Sequence, residues 1–148
     1  MNKKSDIEII ARGVCVRNGR FLLCHTKGAR NTYLPGGHVE CGESAKESLA
    51  REIREELGRN AKVGRFLGAV EHNYRRGRQC CYEINLVFEL RISGIHSCRN
   101  PVSHEDYIEF WWVPLAKLSQ SKLEPAVLRR VLPAWLGNRK QERWASTY

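Results

Sequence analysis

No apolar run in this 148-residue chain reaches the ~18 residues that a membrane-crossing helix needs, which excludes a helical span. There is no Cys-x-x-Cys pair, and the five histidines are scattered, a pattern that argues against a zinc site. Internal repeats, low-complexity tracts and Gly/Ser/Pro-rich linkers are also missing, so one domain over residues 1–148 is expected. Its core is expected at about 7–136, followed by a basic tail at about 137–148. The first six residues, Met1 to Asp6, are polar and lack the apolar stretch of a secretory signal, which predicts a cytoplasmic protein. In that compartment Cys15, Cys24, Cys41, Cys80, Cys81 and Cys98 are expected to be reduced, and most to behave as small hydrophobes within strand-like runs. With 42% hydrophobic and 28% charged residues, the composition excludes obligate disorder.

Charge is abundant and unevenly placed. Twenty-five Lys and Arg against sixteen Asp and Glu give a formal charge of +9. The stretch Glu40 to Gly58 nevertheless holds six acids and three bases, leaving 22 bases and 10 acids elsewhere. An acidic cluster within a basic protein suits a metal site that handles polyanions. Equally, the basic surface alone would serve solubility or loose nucleic-acid binding.

The hydrophobic pattern predicts strands at Ile7 to Val16 and Arg20 to His25, joined by the hairpin signal Asn18-Gly19. A short strand is expected at Tyr33-Leu34, stopped by Pro35-Gly36-Gly37. Ser44 to Leu57 reads as a helix, with Ser44 as N-cap, Glu47 at the capping-box position and Gly58 as terminator. Longer strands follow at Ala61 to Tyr74 and Gln79 to Ile92, joined by the turn Arg75 to Arg78. After a polar loop at Ser93 to Asp106 come a strand at Tyr107 to Val113 and a short helical piece from Pro114. A last helix, with Pro125 in its first turn, runs to about Leu136, and the basic residues beyond it are expected to fray. Strands flanking a central helix, with a second helix last, indicate an α/β fold with a mixed sheet between helices.

On the Ser44–Leu57 helix, Leu49, Ala50, Ile53 and Leu57 share one apolar arc, and Glu52, Glu55 and Glu56 occupy its border. Like charges three and four residues apart repel, and a divalent cation converts that penalty into binding energy. Oxygen ligands of this kind suit a hard ion such as Mg²⁺. The alternative is a solvated charged helix with Glu47–Arg51 and Arg51–Glu55 pairs. Gly36-Gly37 after a strand, and Gly42 before the helix cap, favour the metal reading, because bare backbone approaches ligands closely.

Gly37, five residues, Glu43, seven residues, Arg51-Glu52-Ile53, one residue, Glu55-Glu56, one residue and Gly58 together resemble the Nudix box. The box's last position is usually aliphatic; here it is Arg59. Ile7 to Val16, Tyr33 to Glu40 and Phe110 to Leu115 extend the resemblance over roughly 7–136. It implies a Nudix-type α/β/α sandwich and hydrolysis of a nucleoside diphosphate linked to another group. Glu52, Glu55, Glu56 and the Gly37 carbonyl then correspond to metal ligands, Arg51 to the arginine that orients the carboxylates, and Gly36, Glu43 and Gly58 to supporting positions. Mg²⁺ is the implied cofactor, with Mn²⁺ as a substitute. The catalytic set would be Glu52, Glu56, Arg51 and a base on the loop before the last strand, for which Glu105 is favoured over His104 and Asp106.

The substrate is less legible. Tyr74 lies near a spacing associated with dinucleoside polyphosphates, and no upstream coenzyme A pyrophosphatase motif is present. Tyr33, Tyr74 or Tyr82 could stack on a base, while Arg75 and Arg76 could hold distal phosphates or form an ordinary solvated hairpin. Arg12, Lys27 and Arg30 are further phosphate candidates. A nucleotide or nucleotide conjugate is the expected partner of a monomer or homodimer. Nucleic acid is possible but not required, and no membrane partner is expected. The rival readings are an enzyme acting on RNA 5′ ends, suggested by the basic surplus, and a module that binds nucleotides without cleaving them.

Overall fold

A computed structural model describes residues 6–137 and 140–148. Two sheets carry the fold. The larger has the order β4-β1-β6-β5-β8, with β1 (Ile7–Val14), β4 (Gly36–His38), β5 (Ala61–Arg76), β6 (Gln79–Ile92) and β8 (Trp144–Ser146). It is mixed: β1 runs parallel to β6 and antiparallel to β4, while β5 pairs antiparallel with β6 and parallel with β8. The smaller, β2 (Val16–Arg17), β3 (Arg20–Thr26) and β7 (Ile108–Pro114), is antiparallel.

Strand alternation splits the core into two layers. Leu22 and Cys24 on β3 face the layer that buries Leu49, Ile53 and Leu57 of α1 (Ala45–Leu57). Phe21 and Leu23, their neighbours, face the layer that buries Leu128, Leu132 and Trp135 of α2 (Leu128–Leu136). The result is the expected α/β/α sandwich, divided between two sheets where one was expected.

Several local expectations need correction. The glycines expected to stop a strand at Tyr33-Leu34 themselves form β4, because Gly36 and Gly37 lie close against β1; Tyr33 contributes only an isolated bridge to Cys24. Arg75 and Arg76 belong to β5, and the connecting turn shrinks to Gly77-Arg78. Pro125 precedes α2 instead of opening it. The basic tail is not frayed in its described part: β8 adds to the edge of β5. The Arg143 guanidinium there donates to the Leu67 and Trp135 carbonyls, both at 3.0 Å. The charge thus satisfies one carbonyl of β5 and one in the last turn of the final helix, both of which would otherwise need partners. Arg139 lies outside the described residues.

Cysteine placement is also mixed. Cys15 and Cys24 are buried free thiols, as expected, whereas Cys41, Cys80 and Cys98 are exposed because their segments are turns and a projecting hairpin.

Candidate active site

The α1 helix is fixed at both ends before any chemistry is considered. Ser44 Oγ accepts from the Glu47 amide at 3.2 Å, and the Glu47 carboxylate accepts from the Ser44 amide at 2.8 Å. Gly58 closes the helix with φ 62°, a left-handed conformation that favours glycine. Along the buried stripe Ser48 is fully enclosed and donates through Oγ to the His38 carbonyl at 2.9 Å, tying α1 to β4. Ala50, expected on that stripe, is only half-buried.

Arg51 organises the acidic face. It grips Glu43 with two hydrogen bonds, from Nε at 3.1 Å and Nη2 at 2.8 Å. Its Nη1 reaches Glu52 and Glu55, both at 3.1 Å, and Nη2 also donates to the His38 carbonyl at 3.1 Å. The planar guanidinium holds three carboxylates at once, a geometry that lysine could not reproduce. Hydrogen bonds from Arg51, then from the backbone, hold the Glu43 carboxyl down at about 2, and the surrounding acids push Arg51 still higher. The Arg51–Glu55 pair of the solvated-helix reading therefore exists, but Glu47 closes the cap instead of pairing with Arg51.

The glycines have distinct tasks. Gly36 takes φ 130°, and an added Cβ would run into the Ala11 carbonyl oxygen. Gly37 needs no positive φ; a Cβ there would occupy the space taken by the Glu52 carboxylate. Bare backbone thus lets a carboxylate of α1 lie directly on β4.

Glu56 is the anomaly. Only 6% exposed, its Oε2 has no hydrogen-bond partner, although buried polar atoms are almost always satisfied. Burial, then the charges of Glu52, Glu105 and Glu55, push this carboxyl up to about 8, with Arg12 pulling the other way. The loop before β7 docks onto the same turn: the His104 amide donates to the Glu56 carbonyl at 2.7 Å, and Ser103 Oγ donates to it at 3.2 Å. Ser103 Oγ also accepts from the Glu105 amide at 3.0 Å. Glu105 is thereby brought within electrostatic reach of Glu56.

Among the described residues, no three acidic, His or Cys side chains close into a ready-made metal cage. Arg51 holds the Glu52 and Glu55 carboxylates, leaving an open, all-oxygen set around the unpartnered Glu56 atom. A hard ion that keeps several waters and shares itself with substrate phosphates fits such a set.

A cavity of about 480 Å³ is lined by Arg12, Tyr33, Tyr74, Arg76, Asn85 and Glu124 among others, and by His38, whose carbonyl accepts from Arg51 of the acidic cluster. Arg12 anchors its wall, donating to the Leu34 and Gly36 carbonyls at 3.0 and 3.1 Å and lying 5.2 Å from the Tyr33 ring centroid. His72 stacks on Tyr74 at 5.5 Å between centroids. Burial and the nearby Glu83 push the Tyr74 hydroxyl up to about 12, which keeps it a neutral donor. Period-two alternation brings His72, Tyr74 and Arg76 to this cavity and leaves Arg75 and Tyr82 out of it; Arg30 also lies outside. Lys27 lines a separate cavity of about 440 Å³ with Glu105, Asp106 and Trp111.

Ser48, Ser103, Asn85 and Glu124 were not foreseen from sequence. Asn85, a fully buried amide inside the apolar run Ile84 to Phe88, carried a usable signal. The Ser103 contact is tertiary and left none.

Residues 8–135 match the model of the NUDIX domain. An ADP-ribose pyrophosphatase of Methanocaldococcus jannaschii is 44% identical over 87 residues, which cover 55% of this chain and 49% of the relative; the chain thus spans about half of that protein. A nucleoside triphosphatase NudI of Escherichia fergusonii is 31% identical over 121 residues, covering 74% of this chain and 83% of the relative. Among solved structures, the MutT protein of Methanosarcina mazei Go1 superposes with a TM-score of 0.69 at 28% identity, covering 93% of this chain and 99% of that one. With a domain match over most of its length and the box residues gathered on α1 and β4, the chain belongs to the Nudix family.

Proposed function

We propose that this chain is a divalent-metal-dependent pyrophosphohydrolase that cleaves the phosphoric anhydride of a nucleotide or nucleotide conjugate. The unpartnered, buried Oε2 of Glu56 carries the reading: an unpaired oxygen among three further carboxylates is the position that a cation would complete. Glu56, Glu52, Glu55 and the Gly37 carbonyl would hold the ion, Mg²⁺ being favoured by the all-oxygen set, with Mn²⁺ able to replace it. Such an ion supplies positive charge against the pyrophosphate oxygens and acidifies the attacking water.

The protein's own groups have the following parts. Arg51, braced by Glu43, fixes the Glu52 and Glu55 carboxylates so that they need not reorganise when substrate arrives. Glu105, presented by the Ser103 contact, accepts the proton of the attacking water. Arg76 is the arginine of the 480 Å³ cavity placed for the phosphates, Arg12 adding its charge from the wall where it is held on internal carbonyls, and Tyr33 or Tyr74 offers a stacking face to the base. None of the residues for carboxylate orientation or metal binding is lost, which weighs against a module that binds without cleaving.

The substrate class rests on two supports. The cavity pairs aromatic rings with arginines, and the relatives named above are an ADP-ribose pyrophosphatase and a nucleoside triphosphatase, both acting on nucleoside phosphoric anhydrides. Action on RNA 5′ ends gains less, because Arg143 of the basic tail is engaged with internal carbonyls. A screen for released phosphate and pyrophosphate over nucleoside triphosphates, ADP-ribose and dinucleoside polyphosphates, with Mg²⁺ and then Mn²⁺, tests the proposal. Turnover of none of them, or steeply salt-dependent turnover confined to long RNA, overturns it.

A further inference from the structure

A third cavity, of about 600 Å³, opens at the C-terminal end of α1, and none of its lining is shared with the Arg12 cavity. Leu57, Ile95 and Val102 give it apolar walls, while Arg59, His96, Arg99 and His104 give it basic groups. No carboxylate lines it, and neither arginine forms an ion pair among the described residues. Basic side chains often gather at a helix C-terminus to satisfy its last carbonyls. Here two of the last four carbonyls of α1 are already satisfied without either arginine. The Arg54 carbonyl is taken by the Gly58 amide, and the Glu56 carbonyl by the His104 amide and Ser103 Oγ.

Two glycines keep the cavity open. A Cβ at Gly58 would fall on the His104 ring, and one at Gly94 would stand 3.0 Å from Arg59 Nη1. Both also have positive φ, 62° and 70°, so substitution is disfavoured twice over. Arg59 occupies the position at which the Nudix box usually carries an aliphatic side chain, replacing a packing group by a cation that lies along the Gly94 turn. The far wall is held in place: the Trp112 indole donates to the Arg99 carbonyl at 3.1 Å, and the Trp112 amide donates to Asn100 Oδ1 at 3.0 Å.

We infer that this cavity is a second ligand site, one that takes a phosphate monoester carrying a flat or apolar body. Two guanidiniums without carboxylate partners suit a phosphate dianion, which accepts paired N–H donors. The walls of Leu57, Ile95 and Val102 require that the ligand be more than a bare ion. Pro101 and Val102 also line the cavity that contains Glu105, so the loop between the two cavities is a shared wall.

The test is an amide NMR titration of the full chain, in Mg²⁺ buffer, with phenyl phosphate as probe. Expected are saturable shifts at Gly94, Ile95, Cys98 and Arg99, with inorganic phosphate and phenol each binding at least tenfold more weakly. Arg59→Leu, which restores the usual aliphatic side chain, and Arg99→Gln, in an exposed loop, should each weaken binding at these amides at least tenfold. Arg78→Gln removes the same charge from the distant hairpin and should change it less than twofold. The inference fails if no shift appears at these amides at millimolar probe. It also fails if phosphate or phenol alone binds as tightly, or if Arg78→Gln weakens binding as much as Arg59→Leu and Arg99→Gln do.

Discussion

Replacing Glu56 by Gln separates its cost to stability from the ligand role proposed for it. In the metal-free protein its carboxyl titrates at about 8 instead of 4.5, so between those values the folded chain holds a proton that the unfolded chain has released. Stability therefore falls as pH rises through this window, and the loss is complete above about 8. At ~1.4 kcal/mol per tenfold change in proton affinity, the displacement amounts to about 4–5 kcal/mol, an upper bound because Glu52, Glu55 and Glu105 can relax apart. A near-isosteric neutral amide carries none of this slope. With ~2–4 °C of melting temperature per kcal/mol for a domain of this size, the metal-free variant should gain at least ~5 °C on wild type between pH 5.5 and pH 9.

Saturating Mg²⁺ should reverse the order. Binding at a hundredfold excess over Kd stabilises the wild type by ~2.7 kcal/mol, and the gain should be larger at pH 9 than at pH 5.5, because the ion must displace the Glu56 proton. The Gln variant should gain less than half as much, and its kcat should drop by at least ~10³-fold, the scale of losing a major electrostatic stabiliser. Scanning calorimetry across pH, with EDTA and then Mg²⁺, beside steady-state rates, supplies all these readings. Parallel pH profiles for the two proteins in EDTA would refute the burial argument, and near-wild-type turnover would refute the assignment of Glu56 as a ligand.

Chelation alone should abolish turnover of the wild type, and full activity in metal-free buffer would remove the case for a cation. Glu105→Gln should lower kcat by ~10²–10⁴-fold and erase the acid limb of the pH–rate profile, whereas Asp106→Asn should leave that limb in place; the reverse outcome exchanges the two residues. Glu43 titrates in the opposite sense to Glu56: held down at about 2, it adds stability above 4.5 that is lost as pH falls toward 2, so Glu43→Gln should flatten the acid side of the stability curve. Cys41→Ser, at an exposed thiol, should keep kcat within about tenfold, under ~1.4 kcal/mol of barrier.

How far sequence carried the structure depended on whether a feature was local. The α1 helix was legible to the residue because Ser44, Glu47 and Gly58 act within a turn of their own positions, and its stripe of Leu49, Ile53 and Leu57 is periodic. The β5–β6 hairpin was legible for the same reason, apart from its exact turn. β4 was misread because glycine pairs ordinarily signal a stop, and only the approach of β1 and of Glu52 turns them into strand. β8 was missed because Trp144–Ser146 has no strand pattern of its own and owes its conformation to the free edge of β5.

The candidate site follows the same division, and the reason is electrostatic. Spacing alone places Glu52, Glu55 and Glu56 near one another, but it assigns them equal status. Only the packed structure sets them apart: Arg51 neutralises Glu52 and Glu55, while Glu56 is buried with one oxygen unpaired. Gathering four carboxylates, one of them buried, without that arginine would draw heavily on a net stability of only ~5–15 kcal/mol. Neutralising all of them would leave nothing to attract a cation. One guanidinium placed on three of the acids, with Glu56 kept beyond its reach, meets both requirements. That arrangement lowers the charge of the helix face and keeps one buried oxygen available for the proposed ion.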